Sequence, residues 1–407
     1  MIGKSKIIAG VEIGTAKVAV LVGEVRNASS LNIIGFGESS SRGVMKGAIF
    51  DFKQAGEATH AAIHAAEKQA GAHIEGVYLA QAGAHIEGFY NEASVSVSAA
   101  TNLVGADDIR RVCENAKAKS LPEDRTVIHH IRRPFRLDGR TVPDPEYLEG
   151  GKLEVGYWIV HGSVREVGNS IRVINGFSLH VDDLILSSLA SGVMVAGRGE
   201  MRNGVLVIDI GCGSTDFAFY RDGYVVRTGT LPVGGDHFTN DLSLGLRVTR
   251  SQAESLKVNA GKAILDPEDK GKKVWLSGDL SIGDRQIPRE SMNKIAHARA
   301  RELFELVKKK LGENFTPEKA AAGVILTGGG ARLSGMASVA EDVLGIAARV
   351  GENPSWVTDE LRGIEYSTVL GLLNYGLKTE NDRGSSGEKE KTGGLLRRMT
   401  RIFDRTS

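Results

Sequence analysis

Two short stretches of this chain hold residues whose types and spacing can do chemistry. In residues 7–24, IIAGVEIGTAKVAVLVGE, an apolar strand carrying Glu12 runs into a turn with Gly14, Thr15 and Lys17, and a second apolar strand follows. In residues 204–223, GVLVIDIGCGSTDFAFYRDG, the plan recurs, with Asp209 in register with Glu12 ahead of Gly211, Gly213, Ser214 and Thr215. Each stretch reads as a β-hairpin. Glycine turns tipped by Thr or Ser present backbone N–H groups to an anion. Two of them facing each other hold the β- and γ-phosphates of a nucleotide from both sides, and Lys17 reaches a phosphate as a point charge. Asp209 sits where a carboxylate holds Mg²⁺ through its water shell. Either hairpin alone is as readily an ordinary strand pair. The matching acid and Gly/Thr pattern in both points to two duplicated domains that face each other.

A third glycine loop, LTGGGARL at 326–333, leaves Gly328, Gly329 and Gly330 without side chains, so an adenosine can lie flat on backbone. Glu254 and Lys257, at i and i+3 of a helical stretch, are spaced to bracket a ribose or base. Alone, that pair also describes a surface ion pair worth a few tenths of a kcal/mol. A lone triple glycine is equally unspecific.

The chain as a whole bounds the answer. Its 407 residues exceed one ordinary core and imply about two to four domains. The balance of 51 Lys and Arg against 50 Asp and Glu argues against a nucleic-acid binder, whose footprint is strongly basic. Cys113 and Cys212 have no zinc-like spacing, which fits a reducing cytosol. The opening MIGKSKIIAGVEIG begins like a signal peptide, but Glu12 interrupts the apolar run too early. No stretch reaches the 18 or so apolar residues of a membrane span.

Around the hairpins, periodicity predicts a helix over 53–71, a short strand over 77–84 and a charged helix over 107–119. Alternating runs and a Pro-rich segment at 134–145 give 85–178 the character of an inserted small α/β domain. Residues 181–196, VDDLILSSLASGVMVA, read as a buried helix. Further helices are expected near 235–245, 249–260, 289–311 and 365–377, with a β-like patch at 273–287. The tract 378–394, KTENDRGSSGEKEKTGG, has the composition of a disordered linker.

The order of these parts resembles the actin/sugar-kinase/chaperone ATPase superfamily. Within it, the chain resembles the FtsA family of bacterial cell-division proteins nearly end to end. The stretches that carry the likeness are VEIGTAKV, VDDLILSSLAS, VLVIDIGCGSTDFAFYRDG, LPVGGDHFTNDLSLGLR, AESLK and GVILTGGGARLSGM, together with the tail described below. The resemblance implies two duplicated domains around a nucleotide cleft, binding ATP with Mg²⁺. The first domain spans 1–84, completed by about 179–203 and 365–379, and the insert spans 85–178. The second spans 204–240 and 318–364, with an outer subdomain at 241–317. Gly14, Thr15, Lys17, Asp209, Gly211, Gly213, Ser214 and Thr215 are then phosphate-loop residues, and Gly234 and Gly235 belong to the VGGDH turn. Glu254, Lys257 and Gly328–Gly330 form the adenosine pocket. Two departures stand out. Glu12 replaces the family's usual aspartate, still within water-mediated reach of Mg²⁺. Ser187 and Ser188 stand where many relatives place a carboxylate, so ATP binding is implied and fast hydrolysis is not. The implied role is to polymerise and to tether the FtsZ ring, through its C-terminal peptide, to the inner membrane, and to help recruit later division proteins. An actin-fold small-molecule kinase and a pilus-assembly relative are the alternatives.

The C-terminus, GGLLRRMTRIFDRTS at 393–407, follows a linker at 380–392 and reads as an amphipathic helix. Leu395, Leu396, Met399, Ile402 and Phe403 share one stripe, with Arg397, Arg398, Arg401 and Arg405 on or beside the other face. Such a helix suits the anionic cytoplasmic surface of the inner membrane.

Overall fold

The computed structural model describes residues 6–27, 30–98, 102–276, 284–313 and 315–385. The chain opens with an antiparallel meander of β1 (Ile7–Ile13), β2 (Lys17–Asn27) and β3 (Ser30–Ser40). A small hairpin, β4 (Val44–Met45) and β5 (Ala48–Ile49), leads into α1 (Phe52–Ala70), capped by the Asp51 carboxylate, which accepts the Gln54 N–H. Next comes β6 (Gly76–Gln81), parallel to β1. The chain then leaves the sheet to build β7 (Glu87–Ser96), α2 (Ala106–Lys117), β8 (Arg125–Arg132), β9 (Phe135–Leu137), β10 (Arg140–Val142) and β11 (Lys152–Ser163). These strands form a separate antiparallel sheet with its own core, centred on Leu153, Val155 and Tyr157. Helix α3 (Val164–Asn175) and β12 (His180–Leu186) return to the first sheet, whose order is β12-β6-β1-β2-β3.

Helices α4 (Ser187–Val195) and α5 (Arg198–Asn203) carry the chain to a second meander of β13 (Val205–Ile210), β14 (Thr215–Arg221) and β15 (Tyr224–Leu231). All six residues of β13 are buried, as suits a central strand whose apolar run is broken only by Asp209. An outer unit follows, made of α6 (Gly235–Leu246), α7 (Arg250–Ala260), the hairpin β16 (Lys273–Leu276) and β17 (Arg285–Pro288), and α8 (Arg289–Leu311). Strand β18 (Val324–Thr327), helix α9 (Met336–Leu344) and strand β19 (Ala348–Val350) complete a sheet ordered β15-β14-β13-β18-β19. This is the plan of the first sheet: three antiparallel strands, then two parallel ones beside the first. The duplication expected from the two hairpins extends to both whole sheets.

The last helix, α10 (Ser367–Ser385), sets the relation between them. It packs on β1, β2 and β6, while α4 packs on β13 and β14, and the two helices pack on each other. The result is a stack of sheet, helix, helix and sheet with one shared core, in which Leu21 and Tyr78 join Leu370, Leu373, Leu189, Val207 and Tyr220. Small residues set the spacing. A methyl at Gly371 of α10 would overlap the Ala190 carbonyl oxygen of α4, and one at Gly192 would meet the Tyr220 ring.

Three sequence expectations change. Residues 181–196 are not one helix: the first part is β12, which pairs with β6 from His180 against Gly76 to Leu186 against Gln81, and the helix begins only at Ser187. A short apolar run fits a buried strand as well as a helix, and the sheet's free edge decides it. The tract expected to be disordered from 378 is helical as far as Ser385, because extending an anchored helix costs little once it is nucleated. Glu380 also pairs with Lys6 beside β1. The segment expected as insert, 85–178, divides: α3 packs on α1 and β12, and Ile174 lies in the core of the first sheet. The expected tail at 393–407 and the rest of the linker lie outside the described residues.

Gly371→Ala is expected to destabilise the protein by about 1–3 kcal/mol in urea unfolding, because overpacking between two helix backbones outweighs the gain in helix propensity of about 1 kcal/mol. Unchanged or raised stability would mean that α4 and α10 can part without cost.

Candidate functional site

Both hairpin turns close in the same way. The Gly14 N–H donates to the Lys17 carbonyl at 2.9 Å, and the Gly211 N–H donates to the Ser214 carbonyl at 2.9 Å. The turns meet: a side chain at Gly213 would run into the Thr15 hydroxyl and the Lys46 backbone. The β4–β5 turn braces the first loop, the Gly47 N–H donating to Thr15 Oγ1 at 3.2 Å. The start of α6 braces the second, Gly235 and Asp236 N–H donating to the Gly211 and Cys212 carbonyls at 2.9 and 2.8 Å.

Beneath these turns lies a cleft of about 740 Å³, a size that fits a nucleotide-like ligand. Of the residues expected from sequence, Glu12, Gly14, Thr15, Lys17, Asp209, Gly211, Gly213, Ser214, Gly235, Glu254, Lys257 and Gly328–Gly330 line it. Two do not. Thr215 is buried and spends its hydroxyl on the Val233 carbonyl at 2.8 Å. Gly234 packs against the Gly211 and Cys212 backbone, where a Cβ would sit 2.6 Å from either carbonyl oxygen. Both shape the second turn from behind.

Gly328 follows β18 with φ of 80°, a conformation glycine adopts freely, and a side chain there would strike the Asp209 carboxylate. The triple-glycine loop can therefore lie against the end of β13. Opposite it, Lys257 Nζ donates to Glu254 Oε2 at 2.7 Å, to Thr239 Oγ1 at 2.8 Å and to the Gly235 carbonyl at 3.1 Å. The pair that reads in sequence as a surface ion pair ties α7 to the first turn of α6 along the cleft wall.

Three carboxylates share the floor. Asp209 accepts from Thr368 Oγ1 at 3.1 Å, and Asp216 accepts from Ser214 Oγ at 3.1 Å and from Thr230 Oγ1 at 2.5 Å. Glu12 Oε2 is sealed from solvent and has no hydrogen-bond partner. Burial, then the charges of Asp209 and Asp216, push the Glu12 carboxyl up to about 8, against a nearby Lys17 that pulls it down. Burial also raises Asp216, to about 7, and Asp209. Asp216 is absent from the sequence reading, although counting back from the second turn sets it directly across from Asp209. Also missed were the β4–β5 turn, Lys262, and Arg332, which pairs with Glu365 at 2.5 Å. Ser187 lines the cleft with its hydroxyl on the Gln81 carbonyl at 3.2 Å.

Lys17 is the first residue of β2 rather than part of the turn. Its ammonium group lies 2.9 Å from Glu38 Oε2 and 3.5 Å from the centre of the Tyr366 ring. Among the described residues no group of three or more His, Cys, Asp or Glu side chains is arranged to ligate a metal directly.

Two sheets of one plan, with their glycine turns meeting over a cleft at the end of the central strands, define an actin-like ATPase fold. Comparison with solved structures agrees. The chain matches a PilM–PilN type IV pilus biogenesis complex with a TM-score of 0.59 at 16% identity, over 91% of this chain and 98% of that one. It matches MreB5 of Spiroplasma citri bound to ADP with a TM-score of 0.57 at 15% identity, over 94% and 99%. Residues 206–371 match the family described as "Cell division protein FtsA", and residues 83–161 match the "SHS2 domain inserted in FTSA". The cell division protein FtsA of Pseudomonas aeruginosa is 32% identical over 383 residues, 93% of this chain and 91% of its own. The chain belongs to the FtsA family of actin-like cell-division proteins.

Glu12 ionises near pH 8 in the folded chain and near 4.5 unfolded, so the folded state keeps a proton that the unfolded chain loses across that window. Stability therefore falls as pH rises from about 4.5 to about 8. Glu12→Gln removes this dependence. Its stability advantage over wild type is expected to grow with pH across that window, by at most about 1.4 kcal/mol per unit, and to level off above it. Thermal unfolding in metal-free buffer at several pH values checks this; an advantage that does not change with pH refutes it.

Proposed function

We propose that the cleft binds ATP together with hydrated Mg²⁺, and that nucleotide binding governs an actin-like polymer. The observation that carries this reading is the pair of identically closed glycine turns meeting above a carboxylate floor. The turns offer backbone donors and the Thr15 hydroxyl to phosphates, while Ser214 would have to turn from Asp216 to do the same. The loop at Gly328–Gly330 and the Glu254/Lys257 wall flank the space for the adenosine. Glu12, Asp209 and Asp216 would hold Mg²⁺ through water, the mode suited to a hard cation that keeps its hydration shell. The sealed, unpartnered Glu12 oxygen and three mutually repelling acids favour a cation there. Bound Mg²⁺ would neutralise phosphate charge.

At the start of α4, Ser187 lines the cleft with its hydroxyl on the Gln81 carbonyl, and a serine there is no strong general base. Nucleotide would thus act chiefly as an assembly ligand, with turnover below about one per second, at or under the bottom of the usual enzyme range.

The family membership supports a role on the cytoplasmic face of the inner membrane at the division site. There the protein would hold the FtsZ ring through that protein's C-terminal peptide and help recruit later division proteins. The outer unit at 241–317 is the proposed peptide dock, and Leu244 and Trp275 are exposed on it. No described helix is long and apolar enough to cross a membrane, so attachment would fall to the tail. Leu395, Leu396, Met399, Ile402 and Phe403 would enter the acyl boundary, and the arginines would meet anionic headgroups at about 1 kcal/mol each. One such helix is a marginal anchor, and polymerisation strengthens it.

Two measurements test the reading. Lys17→Ala should weaken ATP more than ADP in calorimetry, and equal losses would place Lys17 away from the γ-phosphate. Phe403→Glu should release the full chain from anionic liposomes while ATP affinity stays unchanged. Binding that survives both this change and deletion of 393–407 means the tail is not the anchor.

A further inference from the structure

Lys17 lines the cleft, but its ammonium is held by two groups that do not. Its ammonium sits between Glu38 Oε2, on β3, at 2.9 Å and the face of Tyr366, 3.5 Å from the ring centre. The three are locked together. The Tyr366 hydroxyl hydrogen-bonds to Glu38, and Phe36, two residues before Glu38, packs edge-on against the Tyr366 ring at 5.4 Å between centres. A cation held by a carboxylate and a ring face is satisfied without any ligand.

The location of Tyr366 gives the contact its reach. It closes the short helical turn Ile364–Tyr366, directly before α10. The Ile364 carbonyl accepts both the Gly328 N–H at 3.3 Å and the Thr327 hydroxyl at 3.3 Å, and Glu365 holds Arg332. One turn therefore holds the third glycine loop from behind and carries the ring on which the lysine of the first hairpin rests. Lys17 and Glu38 belong to the first sheet, whereas Gly328 follows a strand of the second.

We propose that Glu38 and Tyr366 are positioning residues that park Lys17 across the cleft, and that a nucleotide γ-phosphate draws it off them. This rests on the nucleotide reading of the cleft. The triphosphate offers the ammonium a stronger partner than a partly exposed carboxylate. The diphosphate, ending one phosphate short, leaves Lys17 parked. The parked state then works against ATP, and releasing it favours ATP selectively. Moving Lys17 also removes one contact from the Tyr366 ring, in the turn that braces Gly328 and leads into α10.

The test uses full-length wild type, Glu38→Gln, Tyr366→Leu and Tyr366→Phe. Acylation of Lys17 by an amine-reactive ester, followed by peptide mass spectrometry without nucleotide, reads the parked state. Glu38→Gln and Tyr366→Leu should accelerate it severalfold, with Tyr366→Phe, which keeps the ring, in between. Calorimetry with MgATP and MgADP reads the consequence. The same two variants should bind ATP about three- to tenfold more tightly, with ADP changed less than twofold. Unchanged acylation, or faster acylation with unchanged or weaker ATP binding, overturns the proposal while nucleotide binding by the wild type stands. If the wild type binds neither nucleotide, the reading of the cleft itself falls and the proposal with it.

Discussion

The spacing of α4 against α10 is the constraint on which the rest of the molecule rests. Helix α10 packs on the first sheet and α4 chiefly on the second, so the distance between the two helix backbones governs the distance between the sheets. That distance is set by the absence of a side chain at Gly371, which lets the Ala190 carbonyl approach. Because a close-packed interior shifts between discrete arrangements rather than deforming smoothly, the hairpin turns at the sheet ends inherit this rigidity. Thr15 and Gly213 face each other across a cleft that the N-terminal ends of both helices, at Ser187 and Thr368, also line.

A second constraint is electrostatic. The floor beneath the turns gathers three carboxylates, and the protein meets their demand only in part: Thr230, Ser214 and Thr368 donate to the aspartates, while Glu12 keeps an unpartnered oxygen. Native proteins rarely leave a buried acceptor unmet without a reason. The cation nearest to hand, Lys17, is engaged elsewhere. The floor aspartates take their hydrogen bonds from hydroxyls rather than from a cation, which is the condition in which an incoming cation or a cation-carrying ligand gains most. The inserted sheet packs on the edge of the second sheet. Trp158 Nε1 donates to Thr228 Oγ1 at 2.9 Å and Arg133 to the Val226 carbonyl at 2.8 Å, which covers the edge strand β15.

What the sequence made legible was whatever is local. The two hairpins, the triple-glycine turn and the long helix Arg289–Leu311 follow from apolar period and turn residues a few positions apart. What it hid depends on pairing at a distance. The break between β12 and α4 exists because β6 offers a parallel partner, and nothing within VDDLILSS marks it. The helical state of 378–385 comes from the buried half of α10, not from its polar residues. Asp216 was within reach, since the register of a hairpin follows from its turn. Glu38 and Tyr366 were not, because only the folded chain brings β3, the first turn and the segment before α10 to one point.

The continuation of α10 to Ser385 has a consequence for orientation. Only seven residues, 386–392, separate its end from the amphipathic stretch at 393–407. Fully extended at about 3.3–3.6 Å each, they span at most about 25 Å, close to the radius of gyration of about 22 Å expected for a globular chain of this length. A body on so short a mooring cannot tumble over a surface to which that stretch adheres. Were that stretch to bind a membrane as proposed, the end of α10 would face the surface, and copies moored to the same sheet of lipid would share that heading. Neighbours would then meet chiefly by rotation about the membrane normal, and encounters that would be rare in solution would become a search in a plane.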